Sequence, residues 1–256
     1  MLKLDYDNSF KRRFIQFLTY IFRRRELKRF NKNYKFFLKI LNYSLEKYKT
    51  SKDDKFIESY LLLSNKFLID VQSAKILCVR GLYGSSHVLV TVIIRTLRMA
   101  GALLLSPELI PEYLEEEKNS DSNDEFRKKF SEGKLKRILD DRFGKTKRGD
   151  YANDDKVLHG SSVGAKIFYA RIRHNPNGTK GGDLIYDAFF EEEKSSAILN
   201  ILCGALFDMC GIFIEKYQDD EFIKAIRSGY DDLHKAELKS ILRQQIIENM
   251  DARRSK

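Results

Sequence analysis

Arg80 and His87, with six residues between them, stand at the head of the most apolar run in the chain, RGLYGSSHVLVTVIIRTLRMAGALLL, residues 80–105. An imidazole takes up and releases a proton near neutral pH, and a guanidinium offers several donors to phosphate oxygens. Together they suit a reaction in which a ribose 2′-OH attacks its neighbouring phosphate. One group accepts the proton, and the other stabilises the charge that develops. No metal is needed for such a step. Further along the run, His87, Thr91, Arg95 and Arg98 are spaced four, four and three, so on a helix they form one polar stripe. Val88, Leu89, Val92, Ile93, Leu97, Leu103 and Leu104 fill the other faces. Charges on so apolar a helix are expected to be buried against partners, because unpaired buried charge is expensive.

A second stripe follows downstream. Asp155, His159, Ser162, Lys166, Tyr169 and Arg173 repeat at helical spacing, which predicts a helix over about 151–173. Lys166 and Arg173 read as the solvent side of that helix. His159, within LHGSSVG, reads as a site of close packing. Asp155 is a candidate partner for Arg95 or Arg98.

Arg80-x6-His87 resembles the Arg-x(4–6)-His motif of HEPN domains, all-helical proteins many of which are metal-independent ribonucleases. The resemblance implies His87 in 2′-OH-driven cleavage and Arg80 on the phosphate. It also implies a motif at the start of a long helix, often at a homodimer interface. Tyr83, Arg95, Arg98, Asp155 and His159 would then line a substrate site. Residues 54–175 are also similar, more softly, to a family of uncharacterised bacterial all-helical proteins. The similarity rests on GLYGSSHVLVTVIIRTLRMAGALLLSPELIPEYLEE followed downstream by Leu158-His159-Gly160-Ser161. It implies that an arginine-bearing apolar helix pairs with a histidine-bearing one.

The chain that must position these groups has 256 residues, 43% hydrophobic, with 3 Pro and 14 Gly. That is enough for one sizeable core, and its Leu, Ile, Lys, Glu and Phe content favours helix. The net charge is +10, and all of the excess lies in residues 1–50, which carry fourteen basic and four acidic side chains. Arg23, Arg24 and Arg25, with Lys28 and Arg29, suit phosphates of nucleic acid, RNA above all, or of anionic lipid. The bland alternative is a solvated face on two amphipathic helices whose aromatic stripes (Phe10, Phe14, Phe17, Leu18, Ile21; Phe30, Tyr34, Phe37, Leu41, Leu45, Tyr48) pack on the core.

Cys78, Cys203 and Cys210 form no CxxC and sit in apolar segments, so reduced core thiols and a cytoplasmic setting are expected. With four histidines and no zinc-type spacing, neither metal nor cofactor is expected. Gly144-Lys145-Thr146 lacks the glycine five residues upstream that a phosphate loop needs, because Leu139 stands there. No signal peptide is expected. Val88–Leu105 is long enough to span a bilayer, but Arg95 and Arg98 inside it argue for a buried helix and no transmembrane segment.

The expected architecture is an all-α bundle of about eight helices. A basic amphipathic arm (1–50) precedes the core (51–217), and a C-terminal amphipathic helix with a basic tail (218–256) follows. Predicted helices cover 8–50 in two pieces, 54–80 (capped by Ser51 or Asp53), 85–105 (capped by Ser85 after a glycine turn), 107–118, 124–141, 151–173, 194–217 and 220–250, with Gly229 a candidate kink. A loop is predicted from Asn175 to Gly182, and 183–190 suits either a strand or a helix start. Three functions are compatible with this reading: a ribonuclease of toxin or defence type, a non-catalytic module binding nucleic acid or an anionic ligand, and a purely structural role for the stripes. A membrane-surface role for residues 8–30 is a fourth.

Overall fold

In a computed structural model, residues 9–115, 129–143, 170–174, 180–184 and 190–236 are described. The fold is an all-α bundle with eight α-helices among the described residues: α1 (Ser9–Phe22), α2 (Arg24–Thr50), α3 (Lys55–Val79), α4 (Tyr83–Leu105), α5 (Ile110–Glu115), α6 (Glu132–Phe143), α7 (Glu192–Lys216) and α8 (221–236). A 3₁₀ turn at Pro107–Leu109 links α4 to α5.

Four long helices, α2, α3, α4 and α7, make the core. Their inward faces carry Phe30, Phe37, Ile40, Ile57, Tyr60, Phe67, Ile93, Leu103, Leu206 and Phe213, all essentially inaccessible. α2 therefore forms a wall of the bundle, and α1 lies outside it. Cys78, Cys203 and Cys210 are free thiols buried in this core, as their apolar setting predicts.

The seam between α2 and α7 is parallel and keeps a nearly constant register. Arg23 meets Glu192, Arg29 donates to the side-chain Oδ1 of Asn200, and Asn33 Nδ2 donates to the Cys203 backbone carbonyl at 3.0 Å. At the far end, Tyr43 and Lys47 both donate to Asp220, at 2.6 and 3.0 Å. α3 runs antiparallel to α7: the Tyr60 hydroxyl donates to the Met209 carbonyl and the Cys78 thiol to the Ser195 carbonyl.

Helix ends follow from local chemistry. Asp54 caps α3, accepting from the Phe56 and Ile57 amides at 3.1 and 3.2 Å; the cap is thus one residue beyond Asp53, where an acceptor can reach both orphan amides. α3 ends in a Schellman motif: the Leu82 amide donates to the Leu77 carbonyl and the Gly81 amide to the Cys78 carbonyl. Gly81 holds the required left-handed conformation at φ 77°. The predicted turn is there, but α4 begins at Tyr83, two residues before Ser85. Ser85 is exposed, and Ser86 instead sends its hydroxyl to the Ala74 carbonyl at 2.8 Å, stitching α4 to α3. Gly84 is accommodated inside the helix.

Two further expectations are corrected. Residues 170–173, read as the end of a helix, belong to β1 (Ala170–His174), which pairs antiparallel with β2 (Lys180–Leu184), Ala170 facing Leu184. Strand pairing overrides the short helical period there, and it takes in the expected loop residues Gly181 and Gly182. The aromatic stripe of α1 does not pack on the core: Phe10, Phe14, Phe17 and Ile21 are exposed, and Ile15 and Thr19 face inward instead. Gly229 lies within continuous helix and lets α8 approach Phe36 of α2.

Candidate functional site

The outward face of α2 carries a ladder of cations. Its buried residues are Leu27, Phe30, Asn33, Phe37, Ile40 and Ser44. The same periodicity therefore turns Arg25, Lys28, Lys32, Lys35 and Lys39, spaced three, four, three and four, to solvent beside Arg24. At 1.5 Å per residue the ladder extends about 21 Å. Among the described residues, none of these six cations has a carboxylate within ion-pair distance. Lys32, Lys35, Phe36 and Lys39 form one wall of an open groove of about 330 Å³, with Gly229, Asp232 and Leu233 of α8 opposite. The arrangement offers regularly spaced positive charge with an apolar ring beside it.

Not every cation of this stretch faces out. Arg23 is 7% exposed and pairs with Glu26 at 3.0 Å and with Glu192. It ties the α1–α2 junction to the start of α7, so the expectation that Arg23 holds a substrate phosphate is corrected. Arg29 is likewise turned to Asn200. Arg24 and Arg25 are exposed, as a phosphate-binding role requires.

Arg80 is exposed at the C-cap of α3, and His87 is half-buried in the second turn of α4. The Gly81 turn brings both to one end of the bundle. Tyr83 is buried between them and accepts a hydrogen bond from the Glu191 amide at 3.1 Å; burial pushes its phenol up to about 12. Because Tyr83 meets Glu191 and Arg23 meets Glu192, the Arg80–His87 turn and the first rungs of the α2 ladder share that end.

The stripe along α4 is split by burial. Thr91 returns its hydroxyl to the His87 carbonyl at 3.2 Å. Arg95 is exposed, contrary to the expectation of a wholly buried stripe, because its side of α4 is left open where α3, α6 and α7 pack elsewhere. Arg98 is buried and paired with Glu132 of α6. Asp155 and His159 lie outside the described residues, as does the Gly144–Thr146 segment.

Sequence reasoning missed a polar cluster at the opposite end. Tyr217 donates to Asp54 at 2.7 Å, and Tyr43 donates to Asp220, whose carboxylate also accepts from the Phe222 amide at the start of α8. Burial, reinforced by the Asp220 contact, pushes the Tyr43 phenol up to about 12. Burial works to raise the Asp220 carboxyl, but hydrogen bonds from Tyr43 and Lys47 and the Lys47 charge more than offset it, holding the group below the usual range. The N-cap positions of Asp54 and Asp220 are the signals that could have marked them.

Among the described residues, no group of three or more His, Cys, Asp or Glu side chains is arranged to hold a metal ion. α4 and α7 are long and apolar enough to cross a bilayer, a property that core helices of soluble bundles share; here half or more of each apolar window is buried. No family model, no curated protein and no solved structure matches the chain.

Proposed function

We propose that the protein binds nucleic acid, single-stranded RNA in particular, along the outward face of α2. One observation carries this reading: six exposed cations between Arg24 and Lys39 of α2 have no internal carboxylate partner among the described residues, whereas Arg23 and Arg29 beside them are tied inward. Internal pairing would have neutralised a merely structural ladder. Lysines spaced along a helix contact phosphates one by one, and Phe36 offers a ring edge for a base. Binding of a labelled single-stranded RNA, followed by anisotropy over a salt series, tests the reading. Steep weakening with salt is expected, and salt-independent or absent binding would overturn it.

A second reading rests on the Arg80–His87 end of the bundle. The resemblance to HEPN domains suggests a metal-independent ribonuclease, and the exposed Arg80 and accessible His87 at the same end as Arg24 and Arg25 support it. An RNA held on α2 would bring a phosphate to that turn. His87 would take the 2′-OH proton as the oxygen attacks phosphorus, and Arg80 would stabilise the equatorial oxygens until the bond to the 5′-oxygen breaks and that oxygen takes a proton from water. Cleavage in the presence of a chelator, leaving 2′,3′-cyclic phosphate ends and lost in His87→Ala, is the expected result. Equal cleavage by variant and parent would remove this reading and leave RNA binding intact.

A further inference from the structure

Among the described residues, six of the eleven exposed large hydrophobic side chains lie on α1. Phe10, Phe14, Phe17 and Ile21, spaced four, three and four, are 79%, 51%, 58% and 52% exposed. Of this helix only Ile15 and Thr19 are buried among the described residues, and Thr19 satisfies its own hydroxyl on the Ile15 carbonyl at 2.9 Å. Helical hydrogen bonds continue through the junction with α2, from the Arg23 amide to Thr19 and from the Leu27 amide to Arg23. The Arg23–Glu192 pair and the Phe22–Phe190 ring contact, 5.6 Å between centroids, fix the helix against α7. The aromatic face is therefore held outward by the fold.

Charge decides what covers it. From Ser9 to Arg25 there is no acidic residue, and Arg12, Arg13, Arg24 and Arg25 are exposed around the aromatic stripe. A second copy of the chain laid on this face would bring two strongly basic segments together with no acid between them. An anionic lipid surface complements the same pattern: rings enter the headgroup boundary while the arginines hold phosphates and carboxylates. At 14 residues the helix is too short to span a bilayer, so it lies in the plane. From these observations the geometry points to α1 as an in-plane anchor that seats the protein on an anionic bilayer. The surface is separate from the lysine groove on α2, and the inference does not depend on RNA binding.

Flotation of the full chain with lipid vesicles tests it. Vesicles of phosphatidylcholine with about a third phosphatidylserine are expected to carry the protein up, with binding at least tenfold weaker on phosphatidylcholine alone, since each arginine near an anionic surface contributes roughly fivefold. Phe14→Ser with Phe17→Ser should cut binding to the anionic vesicles at least tenfold. Both rings are exposed, so the melting temperature should hold and show that the loss is not unfolding. Lys32→Ala with Lys35→Ala and Lys39→Ala should still float. The proposal is overturned if the parent stays with the unbound fraction, if the phenylalanine variant floats as well as the parent, or if only the lysine variant loses flotation. It is equally overturned if light scattering shows a dimer that the phenylalanine variant dissociates while neither protein floats.

Discussion

Arg98 of α4 is buried against Glu132 of α6, and the pair compensates the buried cation of an otherwise strongly apolar helix. The Glu132 side chain as a whole is 39% accessible, although both oxygens of its carboxylate are buried. Removing it with Glu132→Ala leaves a buried guanidinium and should cost about 1–3 kcal/mol, less than for a fully sealed pair. Arg98→Met combined with Glu132→Ala should recover most of that loss. Arg95→Ala, on the exposed side of the same helix, should change stability by less than about 0.5 kcal/mol. Urea unfolding of the four proteins measures all three expectations.

The lysine ladder makes a quantitative claim about salt. Each phosphate contact to a single strand contributes about 0.7 to the slope of log affinity against log salt. Replacing Lys32, Lys35 and Lys39 by alanine should lower that slope by about 2 and weaken RNA binding at low salt. A control at Lys49, which pairs with Glu46 at 2.7 Å, should leave the slope unchanged.

Gly81 is needed for its backbone. At φ 77° an alanine would meet its own carbonyl neighbours, at a cost of about 1–2 kcal/mol. Gly81→Ala should lower the urea midpoint accordingly. Because the turn also sets Arg80 against α4, any RNA cleavage should fall more than RNA binding. Comparing the two in one preparation separates the effects.

Acid should act through Asp220. Its folded carboxyl is held below the ordinary value, so its contribution is present above the unfolded value of about 4 and is lost as pH falls through the folded one. Asp220→Asn keeps an oxygen for the Phe222 amide but removes the charge, so its stability should vary less over that acid range. At the other extreme, the buried phenols of Tyr43 and Tyr83 sit at about 12. Their protonated forms are favoured in the fold, so stability should drop between pH about 10 and about 12. Thermal melts across both ranges check the signs.

Helices were legible wherever apolar spacing and punctuation agreed. The break at Arg23, the turn at Gly81 and the stop at Pro107 all stand where the chain writes them. The β1–β2 ribbon was not legible, because a five-residue strand such as Ala170–His174 is too short to establish a period of two against a longer helical one. The aromatic spacing of α1 shows that one side is greasy but not which way that side turns; the answer depends on what α2, α3 and α7 leave uncovered. Arg23 looks like its neighbours Arg24 and Arg25 in sequence. Its pairing with Glu26 and with Glu192, the latter 169 residues away, sets it apart. The Arg80–His87 spacing was visible at once, and the fold adds that both stand at the end where the α2 ladder begins.

The α2–α7 seam has a consequence for how the chain is made. Asn33 and Cys203 are 170 residues apart, so the partner of α2 leaves the ribosome long after α2 does. α3 can cover Phe37 early through Phe67, but the side of α2 that meets Asn200 and Cys203 stays open until α7 has been synthesised. Contacts at such separation form slowly and late. The nascent protein therefore carries an uncovered apolar flank through most of its translation, a natural client for chaperones that shield emerging helices.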